Sequence, residues 1–165
     1  MTQLVPDVTF KYRNGGSWVD VPYDKLFAGK RVVVFSLPGA FTPTCSSKQL
    51  PGYEELYPEF IKYVDDVFCL SVNDAFVMDA WFRDQEIKNV KYIPDGSGEF
   101  TYAMGMSVNK ANLGFGFRSW RYAMVVNNGE IEEIFEEPGR VGNCPADPYE
   151  ISTPENVLNW LEQNK

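Results

Sequence analysis

The sequence has no histidine among its 165 residues. Mechanisms that need an imidazole base, such as those of Ser–His–Asp and Cys–His hydrolases, are therefore excluded, and so are histidine-ligated zinc and haem sites. Only three cysteines are present, whereas a structural zinc site built from cysteine alone needs four. We therefore expect no metal and no cofactor, and a nucleophile in this chain must be activated without histidine.

The three cysteines do not suggest a disulfide framework. They stand at positions 45, 69 and 144, and no two of them form a C-x-x-C pair. The N-terminus lacks the pattern of a secretory signal, and the longest apolar runs, such as residues 32–35, are too short to span a bilayer. We therefore expect a cytoplasmic protein that keeps its thiols reduced and has no membrane partner.

Positive charge is scarce as well. The chain has 15 basic and 23 acidic residues, which gives a net charge of −8. Nucleic acids and anionic membranes are polyanions, so this charge disfavours both as partners. The length suits one folded unit with its own core, and we expect a single domain over residues 1–165.

The hydrophobic pattern is typical of an α/β protein. Strands at residues 8–13 and 18–21 flank the turn sequence Asn-Gly-Gly and are expected to form an N-terminal β-hairpin. Near-continuous apolar runs predict three buried strands, at residues 30–37, 67–72 and 122–126. A second hairpin follows the last of these at an Asn-Asn-Gly turn. We therefore expect a thioredoxin-like fold, with a mixed central β-sheet and helices on both faces.

A helix is expected to begin directly after the first buried strand. Thr42 is placed to cap it and Pro43 suits its first position, so that Cys45 falls in the first turn. Unpaired backbone N–H groups and the helix dipole favour an anion there, which activates a cysteine by favouring the thiolate. We expect a kink or a break at Pro51-Gly52, after which the helix resumes through Tyr53 to Tyr63. The competing interpretation is a capped helix with an inert buried cysteine.

Two further helices are predicted along the chain. One starts at Asn73 or Asp74 and runs to about residue 87. Its inward face is predicted to carry Phe76, Val77, Ala80 and Trp81. Residues 137–148 are rich in Pro and Gly and are expected to be irregular. The sequence Thr153-Pro154-Glu155 then opens the last helix.

The segment around Cys45 resembles a known active-site motif. It reads PGAFTPTC, and its Pro38, Thr42 and Cys45 match the P-x-x-x-T-x-x-C motif of the peroxiredoxins. The resemblance covers nearly the whole chain and is specific to the peroxiredoxin-5 subfamily, in the segments VVVFSLPGAFTPTCSSKQLPGY, LSVNDAFVMDAW, YIPDGSGEFTYAMGM and GFGFRSWRYAMVVNNG. The sequence is similar in particular to the peroxiredoxin half of bacterial peroxiredoxin–glutaredoxin fusions, but it contains no C-x-x-C glutaredoxin module.

The resemblance implies a thiol peroxidase that reduces hydrogen peroxide and alkyl hydroperoxides. Cys45 would attack the peroxide and become a sulfenic acid. Thr42 would hydrogen-bond the thiolate and the peroxide, Arg121 would stabilise the thiolate and orient the peroxide, and Pro38 would shield the sulfur from water. The backbone amides of Thr44 and Cys45 would also bind the peroxide. A guanidinium and fixed N–H donors suit this reaction because negative charge moves to the leaving oxygen.

Two positions bear on this assignment. Arg118 lies three residues before Arg121 and competes for the same role, although Arg121 is the one that matches the family pattern. Gln49 stands where many members of the family carry histidine. The reaction does not use that histidine, and we expect the change to affect the local polarity or the choice of reductant.

Three routes are open for reduction of the sulfenic acid. Cys69 lies within the buried strand VFCLSV and is expected to be a core residue. Cys144 lies in the loop sequence RVGNCPAD, and it would form an intramolecular disulfide only after local unwinding, because a disulfide needs Cα atoms within about 7 Å. An enzyme resolved in this way would be reduced by thioredoxin. The resemblance to the fusion proteins favours an external thiol, glutathione with glutaredoxin.

Other functions compete with this interpretation. A thioredoxin-type disulfide reductase needs C-x-x-C at this turn, where the chain has Cys45-Ser46-Ser47-Lys48. A non-enzymatic redox sensor or holdase on the same scaffold would be oxidised once per cysteine, whereas an enzyme would cycle. Phe41, Phe115 and Phe117 lie near the site in the family layout. They would line an apolar pocket for alkyl hydroperoxides or contribute to a homodimer contact.

Overall fold

The structure is a computed structural model that describes residues 2–165. Its strands are β1 (Gln3–Leu4), β2 (Thr9–Asn14), β3 (Ser17–Pro22), β4 (Arg31–Leu37), β5 (Asp66–Ser71), β6 (Lys91–Pro94), β7 (Ser107–Asn109), β8 (Phe117–Ser119), β9 (Tyr122–Asn127) and β10 (Glu130–Glu136). Its helices are α1 (Tyr23–Phe27), α2 (Leu50–Glu55), α3 (Tyr57–Phe60), α4 (Ala75–Asp84), α5 (Glu99–Ala103) and α6 (Pro154–Gln163). A π-helical turn, Cys45–Gln49, leads into α2, and a 3-10 turn, Ala111–Leu113, follows β7.

Six strands form one mixed β-sheet in the order β1-β10-β9-β4-β5-β6. Strands β4, β5 and β6 run parallel, and β9 is antiparallel to both β4 and β10. Strands β2 and β3 form the N-terminal hairpin, and β7 and β8 form a second small ribbon. The predicted mixed sheet and both predicted hairpins are confirmed. The sequence analysis missed the short elements β1, β6, β7, β8, α1 and α5, because two to five residues give little periodic signal.

The sheet separates two apolar clusters because side chains alternate along β4. Phe35 contributes to one cluster, which also contains Cys45 and Cys69. Its neighbour Val34 contributes to the other cluster, against which Cys144 packs. Helices α2, α3, α4 and α6 cover the first cluster, while α1, α5 and the N-terminal hairpin cover the second. Helices therefore lie on both faces of the sheet, as predicted.

Helix α4 buries a different face from the predicted one. The Asp74 carboxylate accepts a hydrogen bond from the Val77 amide at 2.9 Å, and it starts the helix at Ala75. The buried residues of the helix are Ala75, Met78, Trp81 and Phe82. Of the four predicted residues only Trp81 is fully buried, and Phe76 is 54% exposed. Tertiary contact selects this face, since the Trp81 indole N–H donates to Ser46 Oγ at 2.9 Å.

Of the predicted kink or break at Pro51-Gly52, the break is wrong. The chain is helical through both residues, and α2 ends at Glu55. The irregularity lies one turn earlier, where the Leu50 amide donates to the Cys45 carbonyl across a π-helical turn. In a regular α-helix the Pro51 ring would clash with the carbonyl four residues before it, and the wider π turn relieves this clash.

The C-terminal part of the fold follows the prediction more closely. Residues 137–153 form no helix or strand, and Thr153 caps α6 by accepting a hydrogen bond from the Asn156 amide at 3.3 Å. Between residues 2 and 165, no helix has the length and hydropathy that a membrane span requires. The same residues contain no group of three or more His, Cys, Asp or Glu side chains placed to hold a metal ion.

Candidate active site

The turn at residues 38–44 connects the carboxyl end of β4 to the helical segment, and it is held from two sides. Asn73, just after β5, accepts a hydrogen bond from the Ala40 amide at 3.0 Å. Arg118 Nη1 donates to the carbonyl of the buried Pro38 at 3.0 Å. Phe41 has a φ of 63°, in the left-handed region that non-glycine residues rarely adopt. Contacts with distant residues therefore fix the backbone ahead of Cys45.

Thr42 does not cap the helix, so that prediction is wrong. The turn folds Thr42 back over Gly39, and both the amide and the hydroxyl of Thr42 donate to the Gly39 carbonyl, at 3.4 and 2.7 Å. The hydroxyl proton is committed there, which leaves the oxygen as an acceptor rather than as a donor to the sulfur. A Cβ at position 39 would overlap Arg118 Nη1, so a larger residue there would displace the Arg118 side chain from its place over the turn.

Cys45 lies at the start of the helical segment, as predicted, and its thiol is free. The segment begins at position 43, so Thr44 and Cys45 are in its first turn, where backbone N–H groups have no intrahelical acceptor. Cys45 is fully buried, whereas Thr42 and Thr44 beside it are half-buried. A peroxide therefore reaches the sulfur only when the side chains around it move apart.

Arg121 lies beside Cys45 and uses four of its five N–H groups. Its Nη2 donates to Cys45 Sγ at 3.4 Å, and its Nε donates to Gln49 Oε1 at 2.7 Å. Its Nη1 donates to Asp147 Oδ1 at 2.5 Å and to the Pro148 carbonyl at 3.0 Å. Among the described residues 2–165, the fifth N–H, on Nη2, has no acceptor. The guanidinium is thus held from three directions with one donor to offer on the side of the sulfur.

Arg121 is almost completely buried, and its neighbours explain why it keeps its charge. Burial alone would lower the pKa of Arg121, but Cys45 and the Asp147 carboxylate raise it above its ordinary value. For Arg118, which is half-buried, desolvation dominates and lowers the pKa. A permanently charged guanidinium next to the sulfur stabilises the thiolate. Of the two candidate arginines, Arg121 bonds to Cys45, while Arg118 bonds to the Pro38 and Phe115 carbonyls.

Gln49 is a site residue whose part the sequence analysis missed. It is fully buried, its Oε1 accepts the hydrogen bond from Arg121, and its Nε2 donates to the Ser36 carbonyl at 3.4 Å. An amide has both a donor and an acceptor, so this pair of bonds fixes its orientation. Its place four residues after Cys45, on the same face of the helical segment, was the signal available in the sequence.

Glu137 connects the irregular loop to the site, and the sequence analysis also missed this residue. Its buried carboxylate accepts hydrogen bonds from the amides of Glu150, Ile151 and Ser152, at 2.9, 2.8 and 2.6 Å. The Ser152 hydroxyl adds a fourth bond at 2.7 Å. Four donors compensate a buried carboxylate for the loss of water. These bonds hold the loop immediately after Asp147 and Pro148, the residues that bond to Arg121.

The fold and the site match one family. The family model described as Redoxin matches residues 2–150. The chain belongs to the redoxin family. A peroxiredoxin of Rhizobium etli is 58% identical over 172 residues, which cover 98% of this chain and 96% of that protein.

A second relative of this redoxin is the hybrid peroxiredoxin hyPrx5 of Haemophilus influenzae. It is 56% identical over 158 residues, which cover 95% of this chain and 64% of that protein. Among solved structures, the 1-Cys peroxiredoxin described as the Plasmodium falciparum antioxidant protein has a TM-score of 0.94 at 40% identity. The match covers 99% of this chain and 98% of that one.

These similarities confirm the sequence-based assignment to the peroxiredoxins of the peroxiredoxin-5 type and to the thioredoxin-like fold. The protein is a thiol peroxidase, and its substrates are peroxides. A thiol redox partner completes its cycle. The alternative of a non-enzymatic sensor or holdase is not favoured.

The other two cysteines of this peroxiredoxin lie in different surroundings. Cys69 pairs with Phe35 across the parallel strands β5 and β4 and is fully buried, as expected of a core residue. Burial raises the pKa of the Cys69 thiol well above its ordinary value, and the nearby charge of Cys45 raises it further. Cys144 is free and half-buried, and it packs against the apolar cluster on the sheet face opposite Cys45.

The three phenylalanines expected near the site are mostly at the surface. Phe41 is 53% exposed and Phe117 is 67% exposed, while Phe115 is half-buried under the Arg118 guanidinium at 5.2 Å. A cavity of about 490 Å³ lies elsewhere, beside the edge strand β6. Its lining includes Tyr12, Leu26, Phe68, Phe82 and Tyr92. This cavity is not lined by any of the three phenylalanines or by Cys45.

Proposed function

We propose that Cys45 is the nucleophile of this peroxidase and that it acts on hydrogen peroxide and alkyl hydroperoxides. The thiolate sulfur forms a bond to one peroxide oxygen while the O–O bond breaks. The attacked oxygen keeps its hydrogen, so that Cys45 becomes a sulfenic acid, and the leaving oxygen takes up a proton from solvent water and departs as water or alcohol. The observation that carries this proposal is the hydrogen bond of 3.4 Å between Arg121 Nη2 and Cys45 Sγ, two groups buried together.

The surrounding groups suit the same step. The unused N–H of Arg121 and the first-turn amides of Thr44 and Cys45 are donors for the peroxide and for the charge that develops on its leaving oxygen. Thr42 supplies a hydroxyl oxygen that accepts a hydrogen bond from the peroxide O–H, since the Thr42 hydroxyl itself donates to the Gly39 carbonyl. Pro38 is buried, and we propose that it keeps water from the sulfur.

We further propose that the sulfenic acid is reduced by an external thiol, glutathione with glutaredoxin. Two facts support this choice over resolution by Cys144 and reduction by thioredoxin. Cys144 packs on the opposite face of the sheet from Cys45, so an intramolecular disulfide requires a large rearrangement of both segments. The second fact is how two relatives are described. The Haemophilus influenzae protein is called a hybrid peroxiredoxin and the Plasmodium falciparum protein a 1-Cys peroxiredoxin, and an enzyme with one reacting cysteine needs an external thiol.

We also propose a cytoplasmic, single-domain protein that forms a homodimer through the surface around the active-site turn. Phe41 and Phe117 are both more than half exposed, and large apolar side chains at a surface favour a partner. Three free thiols suit a reducing compartment. Sedimentation of the reduced and oxidised protein tests the dimer, and Phe117→Ser should shift it toward monomer.

The first experiment follows peroxide consumption in the wild type and in Cys45→Ser and Cys144→Ser. Each is supplied with glutathione plus glutaredoxin, or with thioredoxin plus its reductase. We expect Cys45→Ser to abolish turnover and Cys144→Ser to retain it with glutaredoxin. Loss of turnover in Cys144→Ser, with thioredoxin as the sole effective reductant, would show a two-cysteine enzyme instead. Turnover by Cys45→Ser would refute the assignment of the nucleophile.

A further inference from the structure

Asp147 is a solvent-facing charge in direct contact with the buried guanidinium. Its Oδ1 lies 2.5 Å from Arg121 Nη1, and the side chain of Asp147 is 52% exposed against 2% for Arg121. The other end of the same guanidinium, Nη2, contacts Cys45 Sγ at 3.4 Å. One carboxylate therefore lies a single guanidinium away from the sulfur, at the boundary between the site and the solvent.

The position of this carboxylate is fixed by the fold. The next residue, Pro148, accepts a second hydrogen bond from Arg121 Nη1 at 3.0 Å, so the backbone as well as the side chain is bound to the arginine. The Tyr149 ring lies 5.8 Å from the guanidinium carbon. The four hydrogen bonds to Glu137 hold the loop immediately after these residues. The fold thus holds the Asp147 carboxylate next to the guanidinium.

Positive and negative charges lie close together around the sulfur when Cys45 is a thiolate. Arg121 bonds to the sulfur, and Arg118 also interacts electrostatically with Cys45. The anions are the thiolate, the Asp147 carboxylate bound to Arg121 and the buried Glu137 carboxylate, which acts on Tyr149 next to Arg121. The binding of a neutral hydroperoxide depends little on these charges. A hydroperoxide that carries its own negative charge meets the carboxylate without an excess of positive charge to attract it.

We propose that Asp147 is a specificity-determining residue that makes this peroxidase discriminate against anionic hydroperoxides in favour of neutral ones. The proposal rests on peroxide reduction at Cys45. It predicts that Asp147→Asn, which keeps a hydrogen-bond acceptor for Arg121 but removes the charge, raises the relative rate with an anionic substrate. The two unit charges are separated by the width of one guanidinium near the protein surface. At such a separation we expect the ratio of the anionic to the neutral rate constant to rise about fivefold.

The test compares two hydroperoxides of nearly equal shape at the sulfur. One is tert-butyl hydroperoxide, and the other is its carboxylate analogue, in which a carboxylate replaces one methyl hydrogen. The second-order rate constant for oxidation of Cys45 is measured by stopped-flow tryptophan fluorescence with each, at an ionic strength of about 0.02 M and again at about 0.5 M. The quantity of interest is the ratio of the anionic to the neutral rate constant, which is insensitive to a general loss of activity.

We expect the ratio to rise about fivefold in Asp147→Asn at low salt and the gain to shrink at high salt, because salt screens exposed charges. Asp147→Glu, which keeps the charge, should stay near the wild-type ratio. Asp20→Asn is the matched control, because Asp20 also forms an exposed ion pair, with Lys11 at 2.6 Å, and is in the N-terminal hairpin. It should leave the ratio unchanged.

Three results would overturn the proposal. One is an unchanged ratio in Asp147→Asn, with both rate constants lowered equally or not at all. Another is an equal rise in Asp20→Asn, which would indicate net charge rather than position. The third is a rise that persists at high salt. Failure of the wild type to consume the neutral hydroperoxide would instead refute peroxide reduction at Cys45, so the two failures are distinguishable.

Discussion

Cys45 and Cys69 are both fully buried in the same apolar cluster, yet their chemical surroundings are opposite. Cys45 starts a helical segment and receives a hydrogen bond from Arg121. Cys69 lies in the middle of β5, where burial is the largest influence on the pKa of its thiol and raises it. Burial by itself therefore favours the protonated thiol. On the proposed assignment of Cys45 as the nucleophile, the charged donor held against its sulfur is what distinguishes it from Cys69.

The donor must itself be held in place, and this requires residues far apart in the sequence. Gln49 and Asp147 bond to different edges of the Arg121 guanidinium, and Glu137 fixes the loop that carries Asp147. No such support surrounds Cys69, which belongs to a strand of the sheet. The difference between the two cysteines can be tested by replacing the donor Arg121, the residues that support it, or the buried thiol of Cys69.

Replacing the donor should have the largest effect. Arg121→Lys keeps a positive charge but cannot bond to Cys45, Gln49 and Asp147 at once, so we expect the second-order rate constant with hydrogen peroxide to fall about a hundredfold. Stopped-flow oxidation measures it. Arg31→Lys is the control, because Arg31 pairs with Glu132 at 2.7 Å, away from the site. If the rate constant fell by less than about tenfold, Arg118 rather than Arg121 would be the arginine that stabilises the thiolate.

Removing the support of the loop should affect stability first. Glu137→Gln loses the charge that four donors share and adds an N–H group with no acceptor assigned to it, so we expect about 3 kcal/mol less free energy of unfolding. Urea denaturation measures this. Glu136→Gln is the matched control, since Glu136 is in a partly exposed pair with Arg140 at 3.3 Å and should cost less than about 0.5 kcal/mol. Equal losses of unfolding free energy in the two variants would contradict the role of Glu137 in holding the loop.

Changing Gln49 tests whether its hydrogen bond to Arg121 contributes to the reaction at Cys45. Gln49→Leu leaves Arg121 Nε without its acceptor, and we expect the rate with hydrogen peroxide to fall about tenfold. Gln49→His should restore much of the rate and add a pH dependence below about 6.5, because burial and the Arg121 guanidinium both lower the pKa of the new imidazole. Gln163→Leu, at the end of α6, is the control. A pH profile in Gln49→His identical to that of the wild type would argue against contact with Arg121.

Removing the inert thiol should have the smallest effect. Cys69→Ala should leave peroxidase activity within about twofold of the wild type and cost about 1 kcal/mol of stability at pH 7. Above the ordinary thiol pKa of 9.0, the unfolded chain releases a proton that folded Cys69 retains, so wild-type stability falls with rising pH. The difference between wild type and Cys69→Ala should therefore shrink by up to about 1.4 kcal/mol per pH unit above that value.

That last measurement also tests the burial of Cys69 directly. It requires denaturation curves of both proteins between about pH 8 and pH 10, with tyrosine ionisation cancelling in the comparison. A constant difference across this range would mean that Cys69 ionises as readily when folded as when unfolded. A large loss of peroxidase activity in Cys69→Ala would give this thiol a part in the reaction.

Much of this protein could be predicted from its sequence because the signals are local. The apolar runs of β4, β5 and β9 and the Asn-Gly turns indicate the sheet and its hairpins, and the Pro38 to Cys45 motif indicates the family and the position of the thiol. The absence of histidine excludes whole classes of mechanism on composition alone. None of these signals depends on which distant residues meet in the folded chain.

What only the tertiary structure decided are contacts between residues distant in the sequence. The sequence pattern predicts Thr42 as a helix cap, but the turn directs its hydroxyl to Gly39. The π turn before Pro51, the buried bond of Gln49 to Arg121 and the loop carboxylate of Glu137 follow from packing and from the need to satisfy buried polar groups. A sequence pattern states which side chains are apolar or charged. It does not state which buried donor will meet which acceptor, because that depends on how the whole chain is folded.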